Sequence, residues 1–372
     1  MSTSGQPPPS GPPPPPASAP QPPRFGRTPH LVTLIAEVTA LTDLLHGVTA
    51  PDPGVVDATR DRALLATLQL DGSPVDVLPS EEQLAALGLP SVDDQPVPPA
   101  RASSWYMSFD AMTEVPDEHL QALEARGVLA AFAADDLAGE LFDDPVGTLA
   151  ALHTRLTVGL VHPDRAGRPR EVEQAVHDAS IGRILYHTAD PADIAGSLEV
   201  LADWLRGPGV VAHGLVTAGI LHLEVLKIHP FDAANGRLAR AAARLALRAA
   251  NLDPHGLAAP EIALARDPLG YHEEVASTVR RRDASIWLER WGDAVVAGLR
   301  GSCRALGLLD ASPPAEAVAF LDGLDGPGFT VADYRAHRDG DIEAAHADLL
   351  ALLDAGVIDR VPGSRGLRFT VT

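Results

Sequence analysis

His229, Asn235, Gly236, Arg237 and Arg240 stand within one twelve-residue run, His-Pro-Phe-Asp-Ala-Ala-Asn-Gly-Arg-Leu-Ala-Arg. An imidazole whose ordinary pKa lies near neutrality is suited to take a proton from an attacking hydroxyl. Gly236 removes a side chain where an anion must come close to the backbone. Arg237 and Arg240, three residues apart, share one helical face and can grip a polyphosphate together. A base, an anion cradle and a cationic clamp in so short a run point to phosphoryl or nucleotidyl transfer. Such groups need rigid supports on both sides. Leu215 to Ile228 is apolar and helical in pattern, and Leu238 to Ala250 is rich in Ala, Leu and Arg, strong helix formers. A loop therefore joins two helices, the second beginning near Asn235. The start of that helix presents unpaired N–H groups and a positive dipole end, which suits phosphate.

The run resembles the signature of the Fic/Doc (fido) family, His-x-Phe-x-Asp/Glu-Gly-Asn-Gly-Arg-x-x-Arg. Six of its eight specified positions are present: His229, Phe231, Asn235, Gly236, Arg237 and Arg240. Ala234 replaces the first glycine, and Ala233 replaces the acid. The resemblance implies a mainly α fold, with a fido helical core and a β-hairpin flap. It implies a transferase that moves AMP, or a related phosphate-containing group, from ATP to a Ser, Thr or Tyr hydroxyl of a target protein. His229 would be the base. Asn235 and the Gly236 backbone would hold the α-phosphate region, and Arg237 and Arg240 the outer phosphates. In the family the acid binds the Mg2+ that bridges the phosphates. Ala233 supplies no ligand, so no metal residue is assigned; Asp232, one place earlier in a tight turn, is the remaining candidate ligand. The alternative is a catalytically impaired fido-fold regulator that binds a nucleotide or a protein segment.

The likeness extends from about residue 148 to 298. Gly182 to Pro191 occupies the place of the flap, a helix ending in Ala202-Asp203-Trp204-Leu205 follows, and Asp283 to Glu289 resembles the helix that closes the core. Upstream, Thr67-Leu68-Gln69-Leu70-Asp71-Gly72 resembles the family's inhibitory motif, Ser/Thr-x-x-x-Glu-Gly/Asn. That likeness implies Asp71 paired with Arg240, one methylene shorter than the usual glutamate. The plainer alternative is that Asp57 to Leu70 is a helix stopped by an Asp-Gly turn.

Composition narrows the field. A chain of 372 residues with 45% hydrophobic content can bury a core and divide into two or three domains. A net charge of −21 argues against broad nucleic-acid or anionic-membrane binding. Cys303 is the only cysteine, so neither a disulfide framework nor a multi-cysteine zinc site can be built. With no basic segment ahead of an apolar run and no long apolar span, a cytoplasmic protein without membrane attachment is expected. The target protein is not readable from the sequence, and a homodimer stays open.

Along the chain, residues 1–27 are dominated by proline and read as an extended tail. Residues 28–145 read as an N-terminal helical region, with Trp105, Tyr106, Met107 and Phe109 expected in a strand or turn. The fido domain is placed at 148–298. From 314 to 372, helices at Ala315–Leu324, Ala332–His337 and Asp341–Ala355 precede strands at Val357–Val361 and Leu367–Val371, in the manner of a winged-helix-like module. That module carries five arginines against ten acids. Its third helix, the one that would read DNA, begins Asp341-Ile342-Glu343, so DNA is not an expected partner.

Overall fold

The computed structural model describes residues 24–73, 77–86, 117–178, 183–309, 312–361 and 368–371. The aromatic cluster at 105–109, nearly all of the proline-rich start and the turn at 362–367 fall outside these residues.

Helix α1 (Pro29–His46) begins where the Thr28 hydroxyl accepts the Leu31 N–H at 3.1 Å, with Pro29 in the first turn where no N–H is needed. Leu31, Leu34, Val38, Leu41 and Leu45 recur every three or four residues and are all buried against α11 (Ser285–Ala305). Helix α2 spans Pro53–Leu70 and is capped by Asp52, whose carboxylate accepts the Gly54 N–H at 2.7 Å. It starts a turn earlier than expected because Asp52-Pro53 supplies both cap and first helical residue. A short helix, α3 (Glu81–Ala85), follows. Asp117–Phe132 forms α4, a helix that the sequence reading did not anticipate; Leu123, Ala125, Val128 and Ala131 are buried along it.

Helix α5 (Pro145–Leu156), capped by Asp144, opens the segment that holds the signature. Strands β1 (Ala175–Asp178) and β2 (Arg183–His187) pair antiparallel, Val176 opposite Tyr186 and His177 opposite Ile184, with the register shifting between the two pairs. The hairpin thus includes a first strand ahead of the segment that the sequence marked as the flap. Helices α6 (Ile194–Trp204), α7 (Gly214–Ile228), α8 (Asn235–Ala249), α9 (Pro260–Leu264), α10 (Pro268–Arg281) and α11 complete the body.

Helix α7 is apolar on every side and buried almost throughout, which makes it the central helix. Trp287 and Trp291 of α11 fix it from one side. Their indole N–H groups donate to the carbonyls of Gly219 at 2.7 Å and Leu215 at 3.1 Å. Such rings stabilise through large buried area while still satisfying their polar edge. One continuous core runs from Leu31 to Cys303. The N-terminal helices α1, α2 and α4 are part of it; α2 and α4 pack on α8, and α1 on α11.

The C-terminal residues have a core of their own around Phe329, Tyr334, Leu349, Leu352, Ile358 and Phe369. It is built from α12 (Ala315–Asp322), β3 (Gly328–Thr330), α13 (Val331–His337), α14 (Ile342–Ala355), β4 (Ile358–Arg360) and β5 (Arg368–Val371), with strand order β3-β5-β4. Glu37 of α1 ties this unit to the body, 2.6 Å from Arg360 and 3.3 Å from Arg300. No described helix is long and apolar enough to cross a membrane.

Candidate active site

The turn between α7 and α8 is shaped by two left-handed residues. His229 ends α7 at φ 52°, ψ 58°, with its N–H still bonded to the Val225 carbonyl at 2.8 Å. Ala234 precedes α8 at φ 57°, ψ 19°. A residue bearing a Cβ pays steric strain in this region, which explains why glycine is favoured at the second of these places. Asn235 staples the turn: its side-chain oxygen accepts the Phe231 N–H at 3.0 Å and its NH2 donates to the Phe231 carbonyl at 2.8 Å. Both ends of that amide are therefore engaged within the protein. The expected contact of Asn235 with phosphate is left to its backbone.

His229 is 3% exposed, and its Nδ1 lies 3.4 Å from the Leu226 carbonyl. A proton on Nδ1 leaves Nε2 as the basic nitrogen. Beneath the turn, the Phe231 ring stacks on the His153 imidazole at 4.1 Å. His153 Nδ1 accepts the Gly167 N–H at 2.9 Å, so Nε2 carries the proton that it donates to the Ala233 carbonyl at 3.2 Å. Burial pushes the His153 pKa down to about 4, against the opposing pull of that carbonyl, so this bracket is neutral near pH 7.

At the start of α8 an anion is already present. Asp71, at the end of α2, places one carboxylate oxygen 2.6 Å from Arg240 Nη2 and the other 3.1 Å from Arg237 Nε. A Cβ on Gly236 would fall 2.7 Å from that carboxylate, so only glycine leaves room for it. Gly72 turns the chain away at φ 75°. Thr67, fully buried, meets Arg240 twice: its carbonyl accepts from Nη2 at 2.9 Å and its hydroxyl accepts from Nε. Thr67 and Asp71 thus converge on Arg240, and Asp71 reaches Arg237 as well, whereas Gly72 contributes only the turn of the chain. Both arginines are only 1% exposed. Arg237 also lies 3.4 Å from Glu124 of α4. None of its N–H groups is aimed at a partner, so these are charge contacts without aligned hydrogen bonds. Burial works to lower the Arg240 pKa, yet the charge of Asp71 and the neighbouring Tyr271 raise it, and the guanidinium stays charged. Tyr271, pushed up to about 12 by burial, bonds His222 at 2.8 Å.

The place of the family's metal acid is filled differently. Ala233 is fully buried beside Val161 and Ala166. Asp232 turns its carboxylate to Arg165 at 2.8 Å, away from the arginine pair, and so departs from its candidacy as a ligand. Among the described residues, no group of three His, Cys, Asp or Glu side chains could hold a metal ion. The residues present do not fit Mg2+.

Sequence reading missed Glu124, His153, Arg165 and Arg170. Glu124 carries no local signal, since it meets Arg237 only through folding.

Residues 144–247 match the model of the Fic/DOC family. Among solved structures, a Fic family protein from Desulfovibrio desulfuricans G20 is 22% identical with a TM-score of 0.55, covering 95% of this chain and 98% of that one. Fic-1 (residues 134–508) from C. elegans is 18% identical with a TM-score of 0.41, covering 73% and 71%. No curated protein matches by sequence.

Proposed function

Residues 144–247 form a Fic/DOC family domain, and from that premise we propose that the chain is a Fic-type transferase. It moves AMP, or a related phosphate-containing group, from ATP to a Ser, Thr or Tyr hydroxyl of a target protein. The observation that carries this reading is the carboxylate of Asp71, an anion held where Gly236, Arg237 and Arg240 converge at the start of α8. A phosphate would use the same groups. In the reaction the hydroxyl oxygen attacks the α-phosphorus, its bond to the bridging oxygen breaks, and pyrophosphate leaves. His229 takes the hydroxyl proton, and the two guanidinium groups neutralise the departing phosphates. Catalysis of this kind rests on positioning and charge. With His229 and both arginines buried, the described conformation is closed, and α2 must withdraw Asp71 before a nucleotide enters.

A second reading, a fido-fold regulator that binds nucleotide or protein without turnover, is favoured by one feature. Ala233 and the Asp232 carboxylate, engaged by Arg165, leave the phosphates without a metal carboxylate. Labelled ATP incubated with magnesium and the wild type, His229→Ala and Ala233→Asp separates the two. Label that enters with the wild type and vanishes with His229→Ala supports transfer. Label only with Ala233→Asp supports the binding protein. No nucleotide binding by any of the three, with Asp71 also changed to Gly, would sink the transferase and leave only a regulator that binds protein.

A further inference from the structure

We propose that Arg170 is the positioning residue that ties the His229 turn to the base of the β1–β2 hairpin. Arg170 is 2% exposed and lies outside the signature. Its Nε donates to the His229 carbonyl at 2.7 Å, and its backbone N–H to the Pro230 carbonyl at 2.9 Å. Nη1 donates to the Val172 carbonyl at 2.6 Å, while Nη2 donates to the Thr188 hydroxyl at 2.9 Å and to the Ala189 carbonyl. Nη2 also lies 3.4 Å from the Ile228 carbonyl. One buried side chain thus joins the end of α7 to both arms of the hairpin.

The surrounding bonds complete the tie. Ala189 donates to Lys227 at 3.2 Å, the Gln174 side chain to Asp232 at 2.9 Å, and the Thr188 hydroxyl to Gln174 at 2.7 Å. With the Asn235 staple on Phe231, every carbonyl from Lys227 to Asp232 is held, five of the six by the hairpin base or Arg170. A planar guanidinium with five donors can serve these three segments at once in a fixed geometry, which a flexible ammonium does not reproduce. A cation also suits the carbonyl end of a helix. His229 keeps its left-handed backbone because this frame leaves it no other, so a movement of the hairpin base is a movement of the imidazole.

The functional weight of this inference rests on the reading of His229 as the base, but its test need not. In the full chain, the His229 ring proton resonance is identified by its loss in His229→Gln. Arg170→Lys and Thr188→Val are expected to shift that resonance and its titration midpoint. They should also speed amide exchange over 227–232 at least tenfold. Arg165→Lys, which touches the side chain of Asp232, should leave the resonance in place. In a transfer assay Arg170→Lys should lower kcat with little change in KM for ATP. Should Arg170→Lys fail to fold, Thr188→Val decides. Wild-type resonance, midpoint and exchange in the folded variants overturn the proposal. Absence of transfer by the wild type itself counts against the proposed function and leaves this result standing.

Discussion

His229 and Ala234 hold backbone conformations that their own side chains oppose, at φ 52° and 57°. At His229 the strain places the imidazole, and no glycine can replace it. At Ala234 nothing is gained from the methyl group, which is buried in the turn. Ala234→Gly should therefore raise stability, by roughly 0.5–1 kcal/mol once the added freedom of the unfolded chain is set against the relieved strain. Urea unfolding measures this directly, and a loss of stability would show that the methyl packs more usefully than the geometry suggests. At this scale the motif was legible: residue types and spacing marked His229, Gly236, Arg237 and Arg240. The use of the Asn235 amide as a staple was not, because a side chain that can bind phosphate or a backbone looks the same in a string of letters.

Helix α2 supplies the carboxylate that pairs with both signature arginines. Its last turn brings Thr67 and Asp71 onto Arg240, and Asp71 onto Arg237, while α4 adds Glu124. Two acids therefore face two buried guanidinium groups, leaving neither charge nor space for a polyphosphate. Changing Asp71 to Gly should act in two directions. Nucleotide affinity should rise tenfold or more, because a competing anion is gone. Stability should fall by about 2–4 kcal/mol, because buried arginines lose a partner. Isothermal titration with ATP and a denaturation curve read the two effects; an unchanged affinity would remove the idea that Asp71 blocks the site. Gly236→Ala should weaken the same contact by crowding the carboxylate. The inhibitory likeness at 67–72 was readable because it pairs a helix stop with an acid. The second acid was not, since α4 itself went unrecognised and Glu124 sits 113 residues from Arg237 in the chain.

Across the whole molecule, burial sets the response to pH. His153 and His272 are both pushed down to about 4 by burial, and His222 lies well below its usual range for the same reason. These histidines are neutral when folded and protonated when unfolded below about 6.5. Their contribution is thus full above that value and is lost as pH falls toward 4. Buried Glu224 and Glu261, raised by desolvation, act with the opposite sign, so a single variant is the cleaner measure. The stability difference between the wild type and His272→Gln should shrink by about 1.4 kcal/mol per pH unit between 6.5 and 4.5. A difference that ignores pH would mean that His272 takes up its proton in the fold as readily as in the unfolded chain, and that burial does not hold it neutral. At the other end of the body, Arg360 and Arg300 hold the Glu37 carboxyl below its usual range, although burial alone would raise it. Glu37→Ala should loosen the C-terminal unit from α1, while the Arg300–Asp354 and Arg304–Leu353 contacts still hold it to α11; faster proteolysis between 309 and 315 with the main core intact reads the change. By itself the sequence determined the helices that flank the signature, the turn between them and the identity of its arginines and its histidine. These follow from local periodicity, capping and spacing, which neighbours along the chain decide. Only the tertiary structure decided which anion occupies the cradle, that Arg170 holds the turn, and that α1, α2 and α4 share one core with the signature helices. Those outcomes depend on contacts between residues far apart in the chain, where charge pairing and close packing, not local pattern, choose the partner.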